Sequence, residues 1–83
     1  MTIIEMRNPA IDFERQEEAI LLHNAINSLY ENQRIAFTLN KYEDLPYSEI
    51  SEIMRVSLSS VESLIHRAKL NLQQKLMHHY KNK

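Results

Sequence analysis

The sequence predicts an all-α fold, a four-helix domain that ends in a helix-turn-helix. Its 83 residues leave room for one small domain only. Apolar residues recur at three- and four-residue spacings, as on amphipathic helices, and no stretch alternates in the way that a strand does. The chain contains neither Gly nor Cys, which excludes glycine-rich phosphate loops, Asn-Gly hairpins, disulfides and zinc-thiolate sites.

The composition is that of a globular domain, with 43% hydrophobic and 25% charged residues. The longest apolar run, residues 19–22, is far too short for a membrane span or for the core of a signal peptide. We therefore expect a soluble, cytoplasmic protein with no membrane insertion. Because its core must be small, we expect a stability of only a few kcal/mol.

The first helix is predicted to begin at Pro9 and to continue to the last apolar residue of its repeat. Residues 1–8 show no clear period and form a lead-in, so the domain itself is expected to cover residues 9–83. Asn8 suits the N-cap and Pro9 the first helical position, with Asp12 as a second candidate cap. The repeat consists of Ala19, Leu22, Ile26 and Leu29.

Two shorter helices are predicted next, over residues 31–40 and 47–54. The segment 43–46 separates them, because its proline cannot continue a helix. The apolar side of the second helix is expected to hold Ile35, Leu39 and Tyr42, and the buried edge of the third helix Ile50, Ile53 and Met54.

A fourth, long helix is predicted from Ser57, a favourable N-cap residue, to about His79, directly after a turn at residues 55–57. One side of its first turns is apolar and must pack on the body of the domain, and the other side is free. Leu70 and Met77 fall on the polar side; we expect them to pack on the first helix, with a partner surface as the alternative. The apolar side consists of Leu58, Val61, Leu64, Ile65, Ala68, Leu72 and Leu76, and the polar side of Ser59, Ser60, Glu62, Ser63, His66, Arg67 and Lys69.

The polar side of the fourth helix carries groups that suit DNA recognition. A short helix, a tight turn and a second helix form a helix-turn-helix, whose second helix inserts into the major groove. Arg67 can donate two parallel hydrogen bonds to guanine, and Glu62 can accept one from cytosine. The serine hydroxyls and His66 can reach phosphates or base edges, and Lys69 suits a phosphate. The alternative is the solvent-exposed face of an ordinary amphipathic helix.

Charge is distributed unevenly along the chain, although the net charge is only −1. Residues 1–45 carry four basic and eight acidic side chains, whereas residues 46–83 carry six basic and three acidic ones, the last of which is Glu62. This separation predicts that the basic end faces a polyanion and that the acidic end meets a different partner. Chance scatter of charges on short helices is the alternative.

Four blocks of the sequence match a known pattern in order and spacing: AINSL at 25–29 followed by ENQR at 31–34, LPYSEISEIM at 45–54, VSLSSVESL at 56–64 and HRAK at 66–69. On these blocks, the chain resembles over most of its length region 4 of bacterial RNA polymerase sigma factors of the extracytoplasmic-function type. The first block is similar to the junction between the first two helices of that family, and the second block to its short third helix. The blocks VSLSSVESL at 56–64 and HRAK at 66–69 resemble the turn, the start of the recognition helix and its basic continuation. The order and spacing of these blocks carry the resemblance, since each block alone occurs in many helix-turn-helix regulators.

The resemblance implies a winged-helix-like, helix-turn-helix domain that binds DNA and is not an enzyme. Such a domain reads the −35 element of promoters while it is docked on the flap of the polymerase β subunit. The implied partners are double-stranded promoter DNA, the RNA polymerase core and an anti-sigma factor. No metal or other cofactor is expected, because His66 and His78 lie too far apart along one helix to share a metal ion.

The resemblance also assigns roles to individual positions of the chain. Arg34 and Tyr47, at the starts of two helices, become candidate phosphate contacts. The alternatives are that Tyr47 belongs half to the core and that Arg34 pairs with Glu31 or Asp44. The implied readers of bases or backbone are Glu62, Ser63, His66 and Arg67, with Ser59 and Ser60 at the edge of the groove and Lys69 on a phosphate.

Several positions depart from the family pattern. Tyr30 stands where the family usually has a proline, and Pro46 stands where a serine cap is common. Arg55 occupies a position where Gly or Asn often takes a left-handed conformation, which would cost about 1 kcal/mol for an arginine. Glu62 and Leu64 replace residues that are frequently basic, and this changes the −35 sequence that we expect to be read.

The resemblance covers region 4 alone. Sigma region 2, which melts the −10 element, has no counterpart in these 83 residues, so we expect an excised domain or a short stand-alone protein that does not start transcription by itself. A sigma-like module that binds a protein partner without reading DNA is the main alternative function. A response-regulator helix-turn-helix is a weaker one, because residues 32–34 and the long last helix argue against it.

Overall fold

The computed structural model describes residues 9–81 and contains four helices in the predicted order. They are α1 (Pro9–Asn27), α2 (Glu31–Lys41), α3 (Tyr47–Met54) and α4 (Leu58–Lys81). The all-α helix-turn-helix prediction is confirmed, and within residues 9–81 no strand forms a wing beside it. The predicted lead-in and its Asn8 cap lie outside the described residues. No helix in the described part is both long and apolar enough to cross a membrane.

The first helix ends two residues earlier than its apolar repeat. The Ser28 hydroxyl donates to the carbonyl of Ala25 at 2.7 Å, and the Ser28 backbone N–H donates to the carbonyl of Asn24 at 3.1 Å. These bonds satisfy carbonyls at the helix end, as a C-cap does. Leu29 lies in the turn that follows, yet its side chain is buried. The repeat therefore predicted a core residue correctly and the helix end incorrectly.

One hydrophobic cluster joins α1 and α2 to the middle of α4, and we call it the α1 cluster. Its members on α4, Ala68 and Leu72, are four residues apart and so form one stripe. The stripe that Leu70 and Met77 form is not covered: 44% of Leu70 and 53% of Met77 are exposed. The prediction that they pack internally is wrong, because α1 packs on the other stripe. The buried members are Ala25, Ile26, Leu29, Phe37, Ala68 and Leu72.

A second cluster fills the angle between α2, α3 and α4, and we call it the corner cluster. It consists of Ala36, Ile50, Val61 and Ile65, all of them fully or almost fully buried. Partly buried side chains from these helices and from the connections between them pack around it: Leu39, Leu45, Tyr47, Met54, Val56 and Leu64. This cluster fixes the angle at which α4 leaves the body of the domain.

Three further apolar residues are more exposed than predicted. Ile53 is 58% exposed, because the eight-residue α3 buries the stripe of Ile50 and Met54 and turns Ile53 to its edge. Leu58 is exposed as the first residue of α4, and Tyr42 follows the end of α2 and is 54% exposed.

The buried face of α2 also differs from the prediction. Gln33, Ala36 and Phe37 are buried, whereas Ile35 and Leu39 are only half-buried. Phe37 packs in the α1 cluster and Ala36 in the corner cluster, so the most buried side of α2 is the one that faces α4, which contributes to both clusters.

Candidate nucleic-acid interface

The turn between α3 and α4 is built around a left-handed arginine. Arg55 has φ 58° and ψ 45° and ends α3, and its backbone N–H donates to the carbonyl of Ser51. The N–H of Val56 donates to the same carbonyl at 3.1 Å. A left-handed residue after the last helical turn is the common way to stop a helix and redirect the chain. The conformation considered for Arg55 is therefore confirmed, at a cost of about 1 kcal/mol for a residue with a side chain.

Serine hydroxyls organise the start of α4. Ser57 Oγ accepts a hydrogen bond from the backbone N–H of Ser60 at 3.1 Å, which confirms the predicted N-cap. The Ser57 hydroxyl donates to Ser60 Oγ at 2.9 Å, and Ser59 Oγ lies 3.2 Å from Ser57 Oγ. All three side chains are exposed. The positive end of the helix dipole thus meets solvent within a group of hydroxyls, an environment that favours a phosphate.

The two sides of α4 are as different as the sequence predicts. Val61, Ile65 and Ala68 are buried on the side that faces the body of the domain. The predicted reading side is exposed throughout, so it can enter a groove without any rearrangement of the core. Its residues are Ser59, Ser60, Glu62, Ser63, His66, Arg67 and Lys69.

The two predicted contacts outside α4 lie in different environments. Tyr47, the first residue of α3, is half-buried and packs against the corner cluster, so the expectation that it belongs partly to the core is confirmed. Arg34 is half-buried and lines a groove of about 470 Å³ between α1 and α2. Within the described part of the chain, it forms no ion pair with Glu31 or Asp44. The structure brings Tyr47 to the corner and places Arg34 beside α1.

The groove beside Arg34 was not predicted. Its floor is apolar, with Leu22 and Ile26 from α1, and Tyr42 closes it at the end of α2. None of its lining residues comes from α4. The complete lining is Ala19, Leu22, His23, Ile26, Asn27, Arg34, Thr38 and Tyr42.

Sequence reasoning also missed a polar contact beneath the interface. Gln33 is buried, and its Oε1 atom accepts a hydrogen bond from Asn71 Nδ2 at 2.8 Å. The sequence does contain a signal for the burial of Gln33. This residue lies three and four positions before the buried Ala36 and Phe37, so it shares their face of α2. For metal binding, no suitable group of three His, Asp or Glu side chains occurs among the described residues.

α3, the left-handed turn at Arg55 and α4 together form a helix-turn-helix. The long second helix of this unit has one buried and one exposed side. Comparison with known proteins gives the family. The model of the Sigma-70, region 4 family matches residues 19–72, about two thirds of the chain, and the chain therefore belongs to this family. The matched segment contains both core clusters and every predicted site residue.

A relative with a described role supports the same assignment. The chain is 32% identical over 65 residues to the RNA polymerase sigma-H factor of Pseudomonas aeruginosa. The match covers 78% of this chain and 34% of that protein, so the chain corresponds to about a third of the length of its relative.

Proposed function

We propose that this domain, over residues 9–83, binds the −35 element of bacterial promoters as region 4 of a sigma factor. In this role it helps to direct RNA polymerase to promoters in transcription initiation. The observation that carries the proposal is the fully exposed polar side of α4, held opposite a buried side on a helix-turn-helix corner. Membership of the Sigma-70, region 4 family supports it. The expected site of action is the bacterial cytoplasm.

Base recognition is assigned to the middle of the exposed side of α4. Arg67 donates two hydrogen bonds to guanine O6 and N7, and Glu62 accepts one from the N4 amino group of cytosine. Ser63 and His66 lie between them on the same side of the helix and reach a base edge or the adjacent backbone. This group contains a carboxylate, which repels phosphates, and its presence therefore favours base reading over simple backbone attraction.

Phosphate contacts are assigned around this group. Ser59 and Ser60 lie at the N-terminus of α4, where their hydroxyls and the helix dipole attract an anion. Lys69 lies further along the same helix, and Tyr47 presents its exposed part at the corner. Arg34 is proposed as a phosphate contact at the margin of the interface. These contacts set the position of α4 on the duplex and carry no sequence information of their own.

A protein partner is proposed for the end of the domain that α1 and α2 form, where the groove shares Arg34 with the proposed DNA interface. Glu14, Glu17 and Glu18 are exposed on α1, next to the apolar groove that α1 forms with α2. An acidic surface beside an apolar groove suits a partner segment with apolar and basic side chains. We assign this end to the flap of the polymerase β subunit, with an anti-sigma factor as a competitor for it. We also propose that the domain is of the extracytoplasmic-function type, because its blocks at residues 45–54 and 56–64 resemble that type.

The experiment selects the best duplex from a randomised pool with the 83-residue chain. Affinities for this duplex and for a scrambled one are then measured over a range of salt concentrations. For both duplexes, the logarithm of the association constant should fall linearly with the logarithm of the salt concentration, because phosphate contacts release counterions. Arg67→Ala should lower the ratio of the two affinities by about 5- to 150-fold, equivalent to about 1–3 kcal/mol.

Arg15→Ala is the matched control, since Arg15 is an exposed arginine on α1. It should leave the ratio unchanged. Equal losses on both duplexes for Arg67→Ala would contradict base reading. Binding that does not depend on salt, or no selection of any sequence, would favour the alternative of a protein-binding module.

A further inference from the structure

A buried polar bond connects α2 to the helix that is proposed to read DNA. Among the residues whose burial the structure describes, Gln33 is the buried polar side chain. Its Oε1 atom accepts a hydrogen bond from Nδ2 of Asn71, 38 residues later in the chain, at 2.8 Å. The bond therefore spans the two helices at the level of the α1 cluster, to which Phe37 and Leu72 belong.

The other buried contacts between these helices are apolar. They determine which side of α4 faces the body of the domain, but apolar contacts carry no directional preference of their own. A hydrogen bond is different, because its energy falls steeply with distance and angle. A rotation or a shift of α4 that keeps the apolar contacts would therefore still break the bond between Gln33 and Asn71.

The position of Asn71 links this bond to the reading side. Asn71 follows Arg67 by four residues, so the two lie on neighbouring turns of nearly the same side of α4. Asn71 is half-buried and Arg67 is exposed, which places the bond at the border between the buried and exposed sides. A rotation of α4 that breaks the bond must also move the Arg67 guanidinium relative to the groove.

We propose that Gln33 and Asn71 are a positioning pair that sets the rotation of α4 and thereby the sequence selectivity of its reading side. This inference rests on the proposed function. The pair does not touch DNA and acts through the side chains that do. Its loss should reduce discrimination between duplexes more than it reduces affinity for a random duplex, since phosphate contacts tolerate small shifts.

The test compares two double variants with the wild-type chain. Gln33→Met with Asn71→Leu removes the bond, keeps the side-chain volumes similar and leaves no unpaired amide. Gln33→Asn with Asn71→Gln exchanges the long and short amides and can re-form the bond at the same combined length. Gln74→Leu is the control, since Gln74 is an exposed amide on α4. Urea unfolding and the affinity ratio of selected to scrambled duplex are measured for each chain.

The apolar pair should unfold cooperatively and lower the affinity ratio by about fivefold or more, while its affinity for the scrambled duplex stays unchanged. The exchanged pair should recover the ratio, and Gln74→Leu should match the wild type. An unchanged ratio in the apolar pair overturns the inference. If Arg67→Ala still lowers the affinity ratio, that result contradicts the positioning role alone and leaves the proposed function supported. If Arg67→Ala leaves the ratio unchanged, the proposed function itself is contradicted.

If the apolar pair does not fold, the single variant Gln33→Asn tests whether the bond between Gln33 and Asn71 sets the selectivity. Its shorter side chain cannot reach Asn71 at the native helix separation, and the exchanged pair restores that reach. A ratio that falls in the single variant and returns in the exchanged pair supports the inference. A ratio that is equal in both overturns it. Failure of both to fold would assign the pair a purely structural role and would also overturn it.

Discussion

The corner between α3 and α4 and the end formed by α1 and α2 are built differently. The corner cluster is almost completely buried, and a ring of partly buried apolar side chains surrounds it. In the α1 cluster several members retain some exposure, and Leu22 is the partly buried residue packed against it. A groove of about 470 Å³ opens beside the α1 cluster. The tightly packed end is the one proposed to read bases, which requires fixed geometry, whereas the open end is the one proposed to receive a partner.

The two ends also differ in charge. Exposed glutamates lie along α1, and no acidic side chain follows Glu62 in the sequence. A protein with a net charge near zero can bind a polyanion if its cations are grouped at one end and its anions at the other. The net charge of the whole chain is therefore a poor guide to whether one end of it can bind DNA.

The largest expected effect tests the difference in packing directly. Ile65→Val in the corner cluster should lower the free energy of unfolding by about 1.5 kcal/mol, and Ile26→Val in the α1 cluster by about 0.5 kcal/mol. The chemical change is identical, but Ile65 is 1% exposed and Ile26 is 5% exposed beside a groove into which its surroundings can relax. Urea unfolding monitored by circular dichroism measures both. Equal losses, or a larger loss at Ile26, would remove the distinction between the two ends.

A second prediction separates the partners of the two ends. Tyr42→Ala should weaken binding of the domain to a polymerase β-flap fragment by about tenfold, because an exposed aromatic ring at the edge of a groove is a typical binding hot spot. The affinity of the Tyr42→Ala variant for the selected duplex should not change. Titration calorimetry with the flap fragment measures the first quantity. Tyr30→Ala is the matched control, since Tyr30 is exposed outside this groove; the same loss there would contradict the assignment.

A third prediction concerns the start of α4. Ser57→Ala should lower the free energy of unfolding by about 1 kcal/mol, because the N–H of Ser60 loses its acceptor. Ser63→Ala, one turn into the helix, should have no effect or a slight stabilising one, since alanine has the higher helix propensity. Chemical denaturation of both variants measures the difference. If the two serines behaved alike, the N-cap would not contribute to holding the corner.

The sequence was most informative where one physical rule decides the outcome. The two sides of α4 could be predicted because a long helix with one apolar stripe must bury that stripe, as Val61, Ile65 and Ala68 do. The start of α4 could be predicted because Ser57 is a favourable N-cap residue, and its hydroxyl oxygen accepts from the N–H of Ser60. Both features need only local information, whereas the left-handed turn at Arg55 was expected from the family resemblance.

The errors arose where burial depends on a neighbouring element. The spacing of apolar residues along a helix indicates which side chains can be buried, but it does not indicate which of them a neighbouring helix covers. For this reason Ile53, Leu70 and Met77 are exposed although burial is predicted for them. The bond between Gln33 and Asn71 joins residues 38 positions apart, and polar residues on helices are ordinarily read as solvent-exposed. The groove between α1 and α2 could not be predicted for the same reason, because it is defined by how two helices pack.

The smallest expected effect tests the cost of the left-handed turn. Arg55→Gly should relieve about 1 kcal/mol of backbone strain, and the greater freedom of glycine in the unfolded chain should offset about half of it or more. The net result is a stabilisation of a few tenths of a kcal/mol. Arg15→Gly, at an exposed position inside α1, makes the same chemical change in right-handed backbone and should destabilise by about 1 kcal/mol. Opposite signs for the two variants in urea unfolding would show that the turn at the corner carries strain that α1 does not, whereas equal losses of stability at the two positions would show that the positive φ of Arg55 costs the fold nothing.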